Sequence, residues 1–487
     1  MEDGPGKSKS FDVVIVGAGI SGINCAYRLQ SHLPHLRYVV LEGREDIGGT
    51  WDLFRFPGVR SDADLHTYGF EWNRWPFDHP IAEGPLITAY LQDTVSKFSI
   101  RERIRFKHQV RSANWSSATR RWNFRVDHDG DSLSFESRWF VMATGYFNYE
   151  SPREAPIPGL SDFQGDVIHP QFWPPSYDYD AKRVAIIGSG STATTLLPHL
   201  AKRAAEVTMV QRSPSYVLSF ENADRGPSWL RKWLPLSVAL MYERLWFLVV
   251  PYCFILLCKL WPAKARDQLR QHAVERLPKS VDADVHFRPR YDPCDQRMCI
   301  SPGGDFFQAL HRNARVVTGR IQGMQGRQIQ LEGGLTVDAD LIVTATGLRM
   351  RFGAGIHVQV DGDGVSWTES FMWNRAMVEN VPNMVFMIGY ITSAWTLGVD
   401  NTAIYLVRIL KDMQRRGDAV AVPRRPKGSK IATSGIFKLS STYVAEGNKE
   451  MPVYGAKGPW KPRIHPPLDW LHARWGTVLQ TCISPDD

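Results

Sequence analysis

A chain of 487 residues is too long for one small core, so two or three folding units are expected. With 43% hydrophobic and 22% charged residues it has the composition of a globular protein, not of a disordered or fibrous one. The net charge of +8 is scattered, apart from patches such as Arg415, Arg416 and Arg424–Lys430, and no nucleic-acid module accompanies it; nucleic acid is not an expected partner.

Six cysteines (25, 253, 258, 294, 299 and 482) form no C-x-x-C pair and have no metal-type spacing with histidine, so no metal site is expected. The opening residues, Met1 to Lys7, lack the basic-then-apolar layout of a signal peptide. Both features suit a reducing, cytoplasmic setting.

The first element is Phe11–Val16, an apolar run of buried parallel-strand type. It leads into Gly17-Ala18-Gly19-Ile20-Ser21-Gly22, a helical pattern over Ile23–Leu29, and a second strand, Tyr38–Leu41, that ends on Glu42. In such a turn the first glycine permits the sharp bend and the second lets backbone N–H groups approach a pyrophosphate. The third lets helix pack on strand, with the helix dipole aimed at the anion. Glu42 lies 20 residues past Gly22, the offset of a carboxylate that bonds a ribose hydroxyl pair. Gly17, Gly19, Ser21, Gly22 and Glu42 are therefore assigned to one dinucleotide. A further strand, Phe140–Ala143, runs into the turn Thr144-Gly145.

The same design returns about 170 residues later. Arg183–Ile187 leads into Gly188-Ser189-Gly190-Ser191-Thr192-Ala193, a helix through Thr194 and Thr195 to about Leu200, and a strand over Val207–Val210. Where the first unit has Glu42, this one offers Gln211-Arg212-Ser213. A carboxylate there would repel a 2′-phosphate, whereas Arg and Ser would bind one, which argues for NADP. Two units, one with a carboxylate and one with an arginine, imply FAD plus NADPH and electron flow between them. Disulfide reductases fit poorly, because the first unit has only Cys25.

After the second unit comes an aromatic helical insert. Within it, Leu245–Cys258 (LWFLVVPYCFILLC) is a run of fourteen uncharged residues inside an aromatic stretch from Trp229 to Trp261. It is shorter than the roughly 20 residues of a membrane span, and Pro251 interrupts it. A buried helix pair lining a core or pocket is the first expectation. Peripheral membrane contact through 229–261 is the alternative. The strand Leu341–Ala345 then runs into Thr346-Gly347.

The expected fold is α/β, with two Rossmann-type dinucleotide-binding domains and a helical insertion. Residues 1–150 and 381–487 would form the FAD domain and C-terminal segment, 151–221 and 290–380 the NADP domain, and 222–289 the insert.

Between the two glycine turns, Phe163, Gly165, His169, Trp173 and Pro174 spell F-x-G-x-x-x-H-x-x-x-W-P. This resembles the fingerprint of Baeyer–Villiger monooxygenases; the related N- and S-oxidising flavin monooxygenases carry Tyr or Phe at the Trp173 position. The resemblance covers most of the chain. Gly48-Gly49-Thr50-Trp51-Asp52-Leu53 and Arg55–Asp62 resemble the flavin-contacting loop, and Asp292–Cys299 resembles the segment that presents an active-site arginine. Ile391–Asp400 resembles the loop that closes over the flavin. Within the family the chain is similar to the ethionamide-activating subgroup, through GGTWDLFR, the Asp-Gln-Arg-Met-Cys context and a short C-terminus. Gln296 departs from the lysine of cyclic-ketone oxygenases.

The resemblance implies FAD contacts from Gly49, Thr50, Trp51, Asp52, Leu53, Asp62, Tyr68 and Val110, and NADP contacts from Arg60, Ser61, His169 and Trp173. His169 and Trp173 would control domain movement and NADP placement. It also implies that reduced flavin captures dioxygen as a C4a-peroxide. Arg297, held by Asp62, would then stabilise the negative charge that develops during attack on a hydrophobic ketone, giving an ester or lactone. N- or S-oxygenation and a catalytically silent flavoprotein are the two alternatives.

Overall fold

The computed structural model describes residues 9–222, 227–426, 428–463, 465–478 and 482–483. The opening segment read for a signal peptide and Lys427 of the basic patch lie outside these residues.

Two parallel-centred sheets carry the molecule. In the first, β1 (Lys9–Val16) runs through a glycine turn into α1 (Ile20–His32) and returns as β2 (Tyr38–Leu41). β1 pairs in parallel with β2 on one side and with β3 (Asp131–Met142) on the other. β1 and β2 end in continuous apolar residues because both faces of this sheet are covered: Val13, Ile15 and Val40 pack with α1, and Val14, Val16, Val39 and Leu41 pack with apolar strand residues such as Val110, Phe124 and Phe140. The N-terminal half of β3 alternates buried and exposed positions and pairs antiparallel with Arg121–His128, which pairs antiparallel with Gln109–Ser116. One long strand thus serves both lobes of a nine-stranded sheet.

The second sheet has five strands, all parallel. β4 (Arg183–Ile187) passes through the second glycine turn to α2 (Ser191–Leu200) and β5 (Glu206–Gln211). β6 (Leu341–Thr344) pairs with the other side of β4. Each strand expected from the glycine-turn pattern is present, with ends shifted by a residue or two, except that the strand expected over Phe140–Ala143 begins nine residues earlier, at Asp131. One boundary needs correction: His357–Val360 pairs with Gln109–Ser116 of the first sheet, so the chain returns to the first unit by residue 357, not at 381. That strand lacked any glycine turn to mark it.

The insert is also corrected. Its apolar run is not half of a buried pair but part of α3 (Leu236–Leu260), with Pro251 inside the helix. Only 6% of its most apolar eighteen-residue window is buried. Glu243 and Arg244 contribute to this: both turn inward, beside buried Ala239 and Cys258, and many of the large apolar side chains are left exposed. Arg231 pairs with Glu243 at 2.6 Å, and Arg244 donates to the His66 and Gly69 carbonyls. Two later helices complete the frame. α4 (Trp395–Arg416) packs along α1, and α5 (Pro466–Trp475) packs on α4.

Candidate active site

The first glycine turn holds the molecule's nucleotide cleft open. Gly17 has φ +104°, and a Cβ there would lie 2.7 Å from the Ala143 carbonyl oxygen. A Cβ on Gly22 would fall 1.9 Å from the Gly17 oxygen, so helix and strand approach as the spacing requires. The N-terminus of α1 has no side-chain cap, which leaves backbone donors for an anion. Glu42 is buried. Its two carboxylate oxygens accept from the Ala18 N–H at 2.6 Å and the Arg44 N–H at 2.9 Å. Burial raises its pKa, and these two donors work against that rise.

The cleft has a volume of about 470 Å³. Of the residues assigned to FAD, Gly17, Gly19, Ser21, Glu42, Gly49, Thr50, Trp51, Asp62, Tyr68 and Val110 line it. Gly22, Asp52 and Leu53 do not. Gly22 lies beneath the turn, and Asp52 ion-pairs with Arg44 and Arg55. Trp51 donates to the Tyr68 hydroxyl at 2.9 Å, joining two of the lining side chains.

The second turn reaches the same cleft through Ser191, Thr192 and Thr195. A Cβ on Gly188 would lie 2.3 Å from the Ala345 oxygen, whereas one on Gly190 would meet only open space. α2 also begins without a side-chain cap. Ala193 and Thr194 are turned into the core, and Ser189 Oγ donates to the Ser213 carbonyl at 3.0 Å. Arg212 and Ser213 are exposed at the end of β5. Gln211 is a correction. Its amide nitrogen donates inward to the His286 carbonyl and Thr318 Oγ1, because the last strand residue points toward the core and not along the cleft.

The linker residues divide. His169 lines a small pocket beside Thr192 and Gly347. Its Nδ1 accepts from the Gln171 N–H, its Nε2 is buried without a hydrogen-bond partner among the described residues, and burial lowers its pKa. Trp173 lines none of the described cavities. It packs edge-on against Tyr177 and Tyr179 in the cluster that also holds Phe56 and Val59, and so helps join the two units. Arg60 lines the cleft but is paired with Asp305, and Ser61 is buried with its Oγ near the Ala82 N–H.

Arg297 and Asp62 stand together. The guanidinium Nη1 donates to the Asp62 carboxylate at 2.7 Å. Burial alone would lower the arginine's pKa, but Asp62 and the nearby Tyr146 and Tyr443 hold it above its ordinary value. A fixed cation results. Its Nε is buried without a partner among the described residues. Beyond the pair lies a second cavity of about 1260 Å³, mostly apolar, formed by α3, the 294–300 segment and α5. Asp62, Ala63, Arg297 and Ser393 line both this chamber and the cleft.

Residues that pattern reading missed also meet here. Tyr146 stacks on Trp395 at 4.8 Å, and Trp395 donates to Ser21 Oγ at 2.9 Å, tying the start of α4 to the first turn. Tyr149 shares a hydrogen bond with Thr50. The turn after Phe140–Ala143 was the available signal, since Tyr146 and Tyr149 follow it closely.

Buried polar atoms without partners test whether dinucleotides suit these turns. Thr144 Oγ1 just after β3, Thr346 Oγ1 just after β6 and Ser191 Oγ at the head of α2 are all unpaired among the described residues. Together with two uncapped helix starts, they fit phosphate-bearing cofactors. Among known proteins, the model of the pyridine nucleotide-disulphide oxidoreductase family matches residues 14–234. The FAD-containing monooxygenase EthA of Mycobacterium tuberculosis is 38% identical over 93% of this chain and 93% of its own. The chain belongs to the FAD-containing monooxygenases. The fold is also shared with solved structures of lower identity. The crystal structure of OTEMO in complex with FAD and NADP has a TM-score of 0.70 at 21% identity, covering 86% of this chain and 88% of that one. Cyclohexanone-bound cyclohexanone monooxygenase has a TM-score of 0.71 at 21% identity, covering 86% and 89%. Although the matched family model is named for disulphide oxidoreductases, Cys25 is buried in the core of this monooxygenase, where burial pushes its thiol pKa up to about 12.

Proposed function

We propose that this chain is an NADPH-dependent Baeyer–Villiger monooxygenase that converts a hydrophobic ketone to an ester or lactone. One observation carries the reading: the Asp62–Arg297 pair sits where a dinucleotide cleft and a large apolar chamber meet. The overall reaction balances as ketone, dioxygen, NADPH and a proton going to ester, water and NADP+. One oxygen atom enters the carbon chain and the other leaves as water.

The first turn, Glu42 and the Gly49–Trp51 segment would hold FAD. The second turn would hold NADPH, with Arg212 and Ser213 at its 2′-phosphate. Bound flavin supplies the reductive activation of dioxygen. Arg297 keeps a charge at the seam at any working pH and presents donors to a carbonyl oxygen that becomes negative. Asp62 fixes the direction of that fork. The chamber's apolar walls exclude water and orient the ketone's chain.

The test uses holoenzyme, NADPH and isotopically labelled dioxygen with a panel of cyclic and linear ketones and one thioether. Ester carrying one labelled oxygen atom is expected. Sulfoxide alone, with every ketone recovered, would overturn the carbonyl reading in favour of S-oxygenation. NADPH consumption yielding only hydrogen peroxide would favour a silent flavoprotein.

A further inference from the structure

The surface of this molecule is unevenly apolar. Of the 23 large hydrophobic residues that stand exposed among the described residues, 13 fall between Trp229 and Trp261 and four more on α5. Monomeric soluble proteins rarely display a patch of that kind without using it.

Charge placement makes the pattern sharper. From Trp233 to Cys258 the only charged side chains are Glu243 and Arg244. Both turn inward, Glu243 to Arg231 and Arg244 to backbone carbonyls. The outer face of α3 therefore has no charge from Leu236 to Cys258, about 35 Å at roughly 1.5 Å per residue, before Lys259 in its last turn. Trp229 and Trp233 precede it and Trp261 follows, all more than half exposed. Exposed Lys232 stands at one end and Lys259 and Lys264 at the other. Tryptophan and lysine bordering an exposed apolar face are the side chains that settle in the interfacial and anionic layers of a bilayer surface.

The helix does not cross the bilayer, because its inner face is tied to the body along its length. Arg74 donates to the Ser237 carbonyl, Arg244 holds the first third, and Tyr252 bonds His465 just before α5. The large chamber opens on the same face. Leu245, Trp246, Val249 and Val250 of α3 and Trp470 and Leu471 of α5 both line it and are more than a third exposed. At about 1260 Å³ it exceeds the roughly 300–1,000 Å³ of ordinary small-molecule pockets, and Arg297 stands at its other end.

We infer that α3 and α5 lie in the surface layer of a lipid bilayer, and that the chamber between them admits a long-chain ketone from that layer to Arg297. The docking stands on the surface alone, whereas the delivery rests on the function proposed above.

The test is flotation of full-length holoenzyme with phosphatidylcholine vesicles containing about one-fifth phosphatidylglycerol. Wild-type protein is expected to float with the vesicles. The double variant Leu257→Glu/Trp261→Glu, altered outside the chamber lining, is expected to lose about tenfold in vesicle binding. The variant should keep its flavin content and its ester formation from a short water-soluble ketone, while turnover of a long-chain ketone dissolved in the vesicles falls with binding. Wild-type protein that stays in the aqueous fraction, or a variant that floats equally well, would overturn the docking. A wild-type dimer that the variant dissolves, with no vesicle binding, would assign the face to a second copy of this chain. Flotation without ester from either ketone upholds the docking and sinks the proposed reaction.

Discussion

Arg297 illustrates how a single residue's surroundings define its use. Its charge is held by Asp62 at 2.7 Å, and its Nε remains unpartnered among the described residues. Replacement by alanine removes the cation without touching either glycine turn. Arg297→Ala should therefore retain bound flavin and its reduction by NADPH, while ester formation falls at least about 100-fold, the scale of losing one electrostatic stabiliser. Rapid-mixing reduction rates and product analysis check this; ester formation within a fewfold of wild type would remove the assigned role. Asp64, two residues from Asp62, gives a pH signature. It caps the short helix Leu65–Tyr68 by accepting from Thr67, and burial raises its pKa to about 6. The native state then holds a proton that the unfolded chain, near 3.8, releases first. Stability is thus lost as pH rises from about 4 to 6, by up to about 3 kcal/mol from this residue. Asp64→Asn keeps a capping oxygen but cannot titrate. Urea unfolding of both proteins at the two ends of that window should show wild type losing ground to the variant as pH rises; parallel profiles would contradict it. The pattern around Arg297 was legible in the sequence, but Gln211 was not. Its position at a strand end resembled a phosphate contact, and only the packing of His286 and Thr318 reveals that its amide turns inward.

At the scale of elements, a buried ion pair anchors the first third of α3. Glu243 is 1% exposed and is held by Arg231, which also meets Asp78. Removing one partner of a buried pair is costly because the other charge stays desolvated. Glu243→Gln should lower unfolding free energy by about 2–4 kcal/mol, measured by denaturant titration, and should loosen α3 in hydrogen exchange before the rest. Protection of α3 equal to wild type would show that its apolar contacts suffice. Strands with a glycine turn behind them were readable from the chain alone, since local sterics dictate them. The exposure of α3 was not. An uninterrupted apolar run gives no periodicity to orient it, and the deciding residues, His66, Gly69 and Asp78, lie over 150 positions away.

Across the whole molecule, the two nucleotide units were visible as a repeat, whereas the return of the chain to the first sheet at His357–Val360 was not, because pairing with Gln109–Ser116 is non-local. Asp62 and Arg297 are separated by 235 positions, and no spacing rule joins them; only the family resemblance pointed to their pairing. Their placement has a kinetic corollary. The cleft and the chamber share only Asp62, Ala63, Arg297 and Ser393 along their linings. In the proposed reaction a product would leave the chamber without passing through the cleft, so its release and coenzyme exchange would be separate gates. A long-chain product would compete with incoming ketone for one doorway and leave the coenzyme's affinity untouched, and the order in which the two are replaced would follow their concentrations and not a fixed sequence.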